Sequence, residues 1–400
     1  MKVFGLKEIS GQVNELLFKE VKFKTEPEKW NWVPSKPEKI RDLKAIVEHE
    51  KGLVDFACIS NYAPTAEKQK VVLVFASGNL SYGFVTYMEQ QGIKFFFLDY
   101  AQFMLQGEIN ISLAHQKQTR VLKMQDQVLD LADVSAVVWN PPKLLKPLFD
   151  FDHIPPKEKR NEFMFKKRWV QLLRELPLLL NKEVAWLPGT PFEGSQEWQN
   201  KLSEYNLALE TGMHIPPVIF TNNLEELNNF CFEHGNNLVI REFSTPPFSF
   251  PPIRVNAKEL TYDHFNSSPS CFQKYIDKQY ELRIIVLFDK VYPCKIYSQD
   301  SELTKSDWRV YDDANVKWEL VTIPDDLKSK LLSLSSKLKL SWCSIDMIYA
   351  PDNNYYFLEA NRPGAHYWLE PFIGLDITRE IVNELLARGL AECHSQNGDR

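Results

Sequence analysis

The stretch Ser344-Ile-Asp346-Met-Ile-Tyr-Ala-Pro-Asp-Asn-Asn-Tyr-Tyr-Phe-Leu-Glu359-Ala-Asn361-Arg-Pro-Gly364 limits what this chain can fold into more than any other. Two apolar runs flank a turn rich in Pro, Asp and Asn, which predicts a β-hairpin with Pro351 to Asn354 as its loop. With that loop, Asp346 lies directly across the ladder from Glu359. Side chains alternate along a strand, so Glu359 and Asn361 share one face, while Tyr356, Leu358 and Ala360 read as the buried set. Carboxylates facing each other across a ladder sit roughly 5 Å apart and repel unless a cation lies between them. A hard divalent ion such as Mg²⁺ satisfies that pair, because it takes a few protein oxygens and leaves room for phosphate and water. The hairpin therefore reads as a metal site with Asp346, Glu359 and Asn361 as oxygen donors.

Four hundred residues with 44% hydrophobic and 13% aromatic content can bury a large core and divide into two or three domains. A net charge of -6 excludes the strong basic excess of a nucleic-acid binder. The first residues lack the apolar core of a signal peptide, and no run approaches a membrane span. A cytoplasmic protein with no membrane partner is expected. Cys58, Cys231, Cys271, Cys294, Cys343 and Cys393 are scattered, without zinc-ligand spacing, and read as reduced thiols.

Residues 1–68 form a polar, lysine-rich arm to which no role is assigned. Val71 to Phe75, a helix through Met88 and a strand from Ile93 to Leu98 predict a β-α-β opening, and Ala136 to Trp139 a third strand before Asn140-Pro-Pro142. The loop between Ala76 and Gly83 lacks the spacing of a phosphate-binding glycine motif and reads as structural. Lys157 to Leu176 predicts a long amphipathic helix whose Lys166, Lys167 and Arg168 are solvated. A helix starting at Asn200-Lys201 carries Leu202, Tyr205 and Leu209 at helical spacing and ends at Gly212. Val218 to Phe220 and Leu238 to Arg241 predict strands around a helix from Leu224 to Glu233, and Thr245 to Ile253, with its prolines, predicts a loop or lid. Strands follow at 272–276, 281–288 and 291–298, with Asp289-Lys290 as the turn between the last two. Leu327, Leu331, Leu334 and Leu338 mark a helix, and Ile377 to Ala387 a final one ending at Gly389.

Glu281 and Arg283 project from one face of their strand, away from Leu282, Ile284 and Val286. Arg283, Arg309 beside Trp308, Lys201 and the acidic hairpin together make a set suited to stabilising a transferring phosphoryl group. No Ser-His-Asp or Cys-His signature accompanies them.

Taken in order, Asn200-Lys201, Gly212-x-x-Ile-Pro-Pro-Val-Ile-Phe-Thr-Asn222, Phe272-Gln-Lys-Tyr-Ile276, Tyr280-Glu-Leu-Arg283, Asp307-Trp-Arg309, Ile345-Asp346-Met-Ile and Phe357-Leu-Glu359-Ala-Asn361-Arg-Pro-Gly364 resemble ATP-grasp ligases. Within that superfamily, Asp307-Trp-Arg309 and Val-Trp-Asn-Pro are most similar to graspetide maturases, the microviridin-type peptide macrocyclases of RiPP biosynthesis. The resemblance covers residues 70–390 and implies an ATP-grasp fold, mixing α/β and α+β: a 1–68 extension, a 69–185 pre-ATP-grasp α/β domain, a 186–268 central subdomain, a 269–392 C-terminal antiparallel-sheet subdomain and a 393–400 tail. It implies ATP and Mg as cofactors, with Asp346, Glu359 and Asn361 as metal ligands and Lys201 as the first nucleotide lysine. Arg241 stands where the family has a second phosphate-contacting lysine. Gln273, Lys274, Tyr275 and Ile276 match the hinge at adenine, where the peptide groups of Lys274 and Ile276 count most. Arg283 and Arg309 match the catalytic arginines at the γ-phosphate and acyl phosphate. The proline-rich 244–253 loop departs from the family's glycine-rich flap. The implied reaction activates an Asp or Glu side chain of a precursor peptide as an acyl phosphate, which a hydroxyl or amine attacks to close an ester or amide ring. A leader-bearing peptide partner and a homodimer are implied as well. An intermolecular amino-acid or peptide ligase and a catalytically silent binding module are the alternatives.

Overall fold

The apolar runs and helical repeats of the sequence build four separate sheets among the described residues. The structure, a computed structural model, describes residues 60, 62–76, 79–99, 103, 107–113, 118–124, 127–139, 168–169, 171–173, 175–180, 183–189, 201–241, 252–260, 269–305, 315–361 and 369–393. Most of the 1–68 arm, Asn140-Pro-Pro142, most of the 157–176 helix, Pro246 to Pro251, Arg309, Arg362-Pro-Gly364 and the tail from 394 lie outside the described residues. The chain divides into two compact units, 1–186 with 378–400 and 187–377.

In the first unit, β1 (Val71–Ala76), α1 (Asn79–Gln90) and β2 (Phe95–Asp99) form the expected β-α-β crossover, with β1 parallel to β2. Next come β3 (Gly107–Leu113), β4 (Gln118–Met124) and β5 (Gln127–Asp130), an antiparallel sheet that the sequence reading did not foresee. Its edge strand alternates polar Glu108, Asn110 and Ser112 with apolar Ile109, Ile111 and Leu113, a period-2 signal that the sequence reading passed over. With β6 (Val134–Trp139) and β7 (Ala185–Leu187), the parallel pair completes a sheet of order β2-β1-β6-β7. Phe75 stacks on Trp139 with centroids 4.5 Å apart, and Trp186 meets Trp139 edge-on at 5.9 Å. A buried contact from Tyr62 to Asp133, whose other oxygen accepts from the Gln69 amide at 3.0 Å, pins residues 62–69 to this core.

The second unit opens with α2 (Lys201–Glu210), which Gly212 terminates at φ +76°, a conformation that disfavours side chains with a Cβ. Then β8 (Val218–Thr221), α3 (Leu224–His234), β9 (Asn237–Arg241), β10 (Ile253–Asn256) and β11 (Ser270–Lys274) form an antiparallel sheet of order β10-β9-β11-β8 with one helix on it. Asn223 caps α3 by accepting from the Glu225 amide. Ile253, expected in a loop, starts β10 and pairs with Ile240.

A five-stranded antiparallel sheet follows: β12 (Tyr280–Leu287), β13 (Lys290–Ile296), β14 (Trp318–Leu320), then, after α4 (Asp325–Lys337), β15 (Trp342–Tyr349) and β16 (Tyr355–Asn361), in the order β14-β13-β12-β15-β16. Leu287 pairs with Lys290, so the two-residue turn is Phe288-Asp289, one place before the expected Asp289-Lys290; Phe288 takes the positive φ. One face of the sheet, Leu282, Ile284, Val286, Ile345 and Met347, packs with Leu327, Leu331, Leu334 and Leu338 of α4 and Tyr205 and Ala208 of α2 in one core. The α4 leucine stripe is buried as the sequence predicts. The stripe read on α2 is not the buried face: Leu202 and Leu209 are exposed, while Lys201, Glu204, Tyr205 and Ala208 point inward. Polar side chains that meet β11 and β16 occupy the inner face there, so hydrophobicity alone indicates the wrong side. After α5 (Glu370–Ile373), α6 (Ile377–Ala387) ends at Gly389, φ +65°. From residue 378 the chain belongs to the first unit again, where Lys94 meets Glu392 at 2.7 Å and Ser135 donates to the Leu390 carbonyl at 2.8 Å.

Candidate active site

Two strand registers position the charged groups. On β15, Asp346 lies across from Glu359 of β16 on one side and from Arg283 of β12 on the other, so three charged residues form a row across the sheet. The Asp346–Glu359 pairing is the expected one, although the loop is one residue longer than expected, 350–354, with Tyr349 paired to Tyr355. The ladder shifts by one residue between Asp346 and Met347, placing Leu358 in a bulge. This corrects the expected inward set: Phe357 and Ala360 are fully buried, whereas Tyr356 and Leu358 are only half-buried. The bulge reverses the parity of the strand, so Phe357 meets Tyr205 in the core while Glu359 keeps to the opposite, charged side. The outer edge of β16 is held at the same place, where the Phe357 amide donates to the His214 carbonyl at 2.9 Å.

Every carboxylate in the row is met by cations. Arg283 Nη1 donates to both Asp346 oxygens, at 2.9 and 3.0 Å. Lys201, from the first turn of α2, and Arg241, from the end of β9, converge on Glu359 Oε2, the arginine at 3.3 Å. Asn361 Nδ2 donates to Asp346 Oδ2 at 2.9 Å and to Glu359 Oε1 at 3.4 Å, bridging the two carboxylates with its amide. Three cations thus face two carboxylates, one positive charge in excess, in a place where Lys201, Arg283 and Asp346 are all buried. Removing one partner of such a buried pair costs about 3–5 kcal/mol, so each group also fixes its neighbour's geometry.

One pocket, lined by Val239, Arg241, Gln273 to Ile276, Lys278, Glu281, Asp346, Leu358 and Glu359 among others, joins this row to the expected hinge. Gln273 links the two: its Oε1 accepts from Arg241 at 3.3 Å and its Nε2 donates to the Tyr205 hydroxyl at 3.1 Å. Burial holds that hydroxyl above its ordinary pKa, against the pull of Arg241 and Lys201. The Lys274 amide donates to the Pro217 carbonyl at 2.8 Å and the Tyr275 amide to the Asn237 carbonyl at 2.9 Å, so both N–H groups are committed inside the protein.

Sequence reading missed two participants, Lys278 and Glu204, and named Glu281 only as sharing a strand face with Arg283. Lys278 donates to Glu281 at 2.7 Å in the pocket wall. Burial raises the Glu281 carboxyl above the usual carboxylate range, and Asp346 raises it further, against Lys278 and Ser298. Glu204 accepts from the Ala360 amide at 3.4 Å, so α2 supports β16 from behind. The signal for Glu281 was its place on the face of Arg283; for Glu204 it was an acid in the first turn of α2.

The donor chemistry fits a hard cation: two carboxylates facing each other, tied by an amide whose oxygen is a further donor. Among the described residues no group of three or more His, Cys, Asp or Glu is gathered as a metal site, so this pair needs oxygens from elsewhere, as phosphates supply. Among them too, no helix is long and apolar enough to cross a membrane.

No family profile matches the chain, and no curated protein does. Solved structures do. The macrocyclase MdnC bound with precursor peptide MdnA from Microcystis aeruginosa MRC superposes with TM-score 0.64 at 24% identity, covering 79% of this chain and 99% of that one. A Chryseobacterium gregarium RiPP-associated ATP-grasp ligase, in complex with ADP and a leader and core peptide, gives 0.66 at 23%, over 82% and 100%. The ATP-grasp ligase PsnB complexed with minimal precursor, Mg and ADP gives 0.61 at 20%, over 80% and 98%. The chain has the ATP-grasp fold. The four-stranded β8–β11 sheet with α3 and the five-stranded β12–β16 sheet both belong to the second unit, and the pocket with its charged row is lined by residues of both.

Proposed function

We propose that this protein is an ATP- and Mg-dependent carboxylate ligase that closes ester or amide rings in a precursor peptide, activating an Asp or Glu side chain of that peptide as an acyl phosphate. The observation that carries the reading is the row Arg283–Asp346–Glu359, bridged by Asn361, opening into the same pocket as Gln273 to Ile276. The similar structures support it, since three of them are a macrocyclase or ATP-grasp ligases holding precursor peptides, two with ADP and one with Mg as well.

Each residue has a task set by its place. Asp346, Glu359 and Asn361 would hold the metal. Bound there, Mg²⁺ would neutralise phosphate charge as the phosphoryl group moves. Lys201 and Arg241 have a carboxylate to leave and a polyphosphate to take up, with no change of element needed. A guanidinium at Arg241 spans two acceptors, as it does here with Gln273 and Glu359, where an ammonium would act as a point charge. Arg283, buried against Asp346, supplies fixed positive charge where phosphate leaves. Arg309, outside the described residues, is the second arginine proposed for the acyl phosphate. Gln273 to Ile276 and the Lys278–Glu281 pair form the wall against which the nucleoside sits. No protein nucleophile is required, because the peptide brings both carboxylate and acceptor, and the site's work is placement and charge.

Co-expression with the small peptide encoded nearest its gene, followed by intact mass measurement, tests the proposal. Loss of one water per bond formed is the expected result. ATP consumption with an unchanged peptide, or with a mass gain by an added amino acid, would replace ring closure with intermolecular ligation.

A further inference from the structure

On the far edge of the central sheet, Arg254 of β10 places its guanidinium carbon 3.9 Å from the centroid of the Tyr275 ring, in the hinge. The same side chain donates from Nε to Asn237 Oδ1 at 3.2 Å. Asn237 in turn accepts the Tyr275 amide on its backbone carbonyl at 2.9 Å. Three contacts therefore close a ring among Arg254, Asn237 and Tyr275: cation on aromatic face, guanidinium to side-chain amide, and hinge N–H to backbone. Tyr275 lines the pocket, as does Val239, the residue that pairs with Arg254 across the β9–β10 ladder. Arg254 itself is exposed and takes no part in the charged row.

We propose that Arg254 is a positioning residue for the adenine nucleotide: it fixes the ring and backbone of Tyr275, and with them the hinge wall, from the strand that follows residues 242–251. The inference rests on the nucleotide-site reading above. A tyrosine at a strand end rotates about χ1 and χ2, and a wall that must present a flat face and a fixed backbone to a planar base gains from having both angles and the amide held at once. Arginine suits the task better than lysine, since its planar fork can lie on the ring and still direct one N–H to Asn237. A contact that only stiffened the sheet edge would need neither the Asn237 bond nor the pocket-lining ring.

Calorimetric titration with ADP and Mg²⁺ on the full chain, with thermal melts alongside, tests this. An exposed cation–π contact corresponds to about two- to fivefold in affinity. Arg254→Ala should weaken ADP binding by that factor and raise the KM for ATP at unchanged kcat, with Arg254→Lys recovering part of the loss and Arg254→Gln none. Tyr275→Leu should weaken binding as well, and adding Arg254→Ala to it should cost nothing more, because the ring through which the arginine acts is gone. Lower melting temperatures with unaltered ADP affinity, or fully additive losses in the double variant, would overturn the proposal. Wild-type protein that binds no ADP would instead overturn the nucleotide-site reading, so the two failures are distinguishable.

Discussion

Glu359→Gln should move two properties of this protein in opposite directions. Glu359 Oε2 accepts from Lys201 and, at 3.3 Å, from Arg241, and the carboxylate is mostly buried. A hydrogen bond to a charged partner is worth about 1.5–3 kcal/mol, and the long arginine contact belongs at the lower end. An arriving polyphosphate must draw both cations away from this carboxylate. Glutamine keeps the shape but holds them as a neutral acceptor, and the site's excess of positive charge grows by one. Metal-free ATP should therefore bind the variant more tightly, by roughly tenfold, the equivalent of ~1.4 kcal/mol. The same change removes one of two facing carboxylates that would hold Mg²⁺, so magnesium-dependent phosphate release should fall about a hundredfold or more. Titration of ATP in the presence of a chelator gives the first number and steady-state phosphate release the second. Weaker metal-free binding in Glu359→Gln would refute the idea that the carboxylate competes with phosphate for Lys201 and Arg241.

Three other outcomes follow from the packing. Glu281 holds its proton more tightly folded than unfolded, so its contribution to stability should fall as pH rises from the ordinary carboxylate range through its raised pKa. Thermal melts over about pH 5 to 8 should show wild type losing ground to Glu281→Gln as pH increases, and a constant difference would contradict the raised value, whose setting includes Lys278, Ser298 and Asp346. Leu331, fully buried between α4 and the five-stranded sheet, should cost about 2–5 kcal/mol on Leu331→Ala in denaturant unfolding, against well under 1 for the exposed Leu202→Ala. Burial pushes the Cys294 thiol up to about 12, so alkylation at mildly alkaline pH, read by peptide mass mapping, should modify exposed Cys393 and spare Cys294.

What the sequence made legible is what period and turn chemistry encode. The Asp346–Glu359 pairing was expected from a four-residue loop, but Tyr349 pairs with Tyr355, so the loop spans the five residues 350–354 and the bulge at Leu358 restores the expected pairing. The grouping of Glu281 with Arg283 followed from alternation alone, and both face the site. Alternation failed at Leu358, where a bulge shifts parity by one and sends Phe357 inward; no residue type announces such a shift. Hydrophobic spacing failed on α2 for a different reason. Its inner face carries Lys201 and Glu204 because they meet Glu359 and the β16 backbone, and its leucines are left to solvent. Lys278 was passed over because a lysine at the head of a strand looks solvated until its partner, Glu281, is seen to be buried. The β3–β5 sheet was passed over although Ile109, Ile111 and Leu113 alternate with polar residues along β3, because these short strands bury few residues completely.

Phosphoryl transfer to a peptide carboxylate is the central step proposed for this protein, and one isotope experiment addresses it directly. Precursor peptide carrying heavy oxygen in its Asp and Glu side chains would be incubated with the protein, ATP and Mg²⁺, and the released inorganic phosphate weighed. Activation as an acyl phosphate predicts one heavy oxygen in phosphate for each ring bond formed, since the carboxylate oxygen bonded to phosphorus leaves with it. Ring formation with unlabelled phosphate would contradict the mechanism assigned to this site.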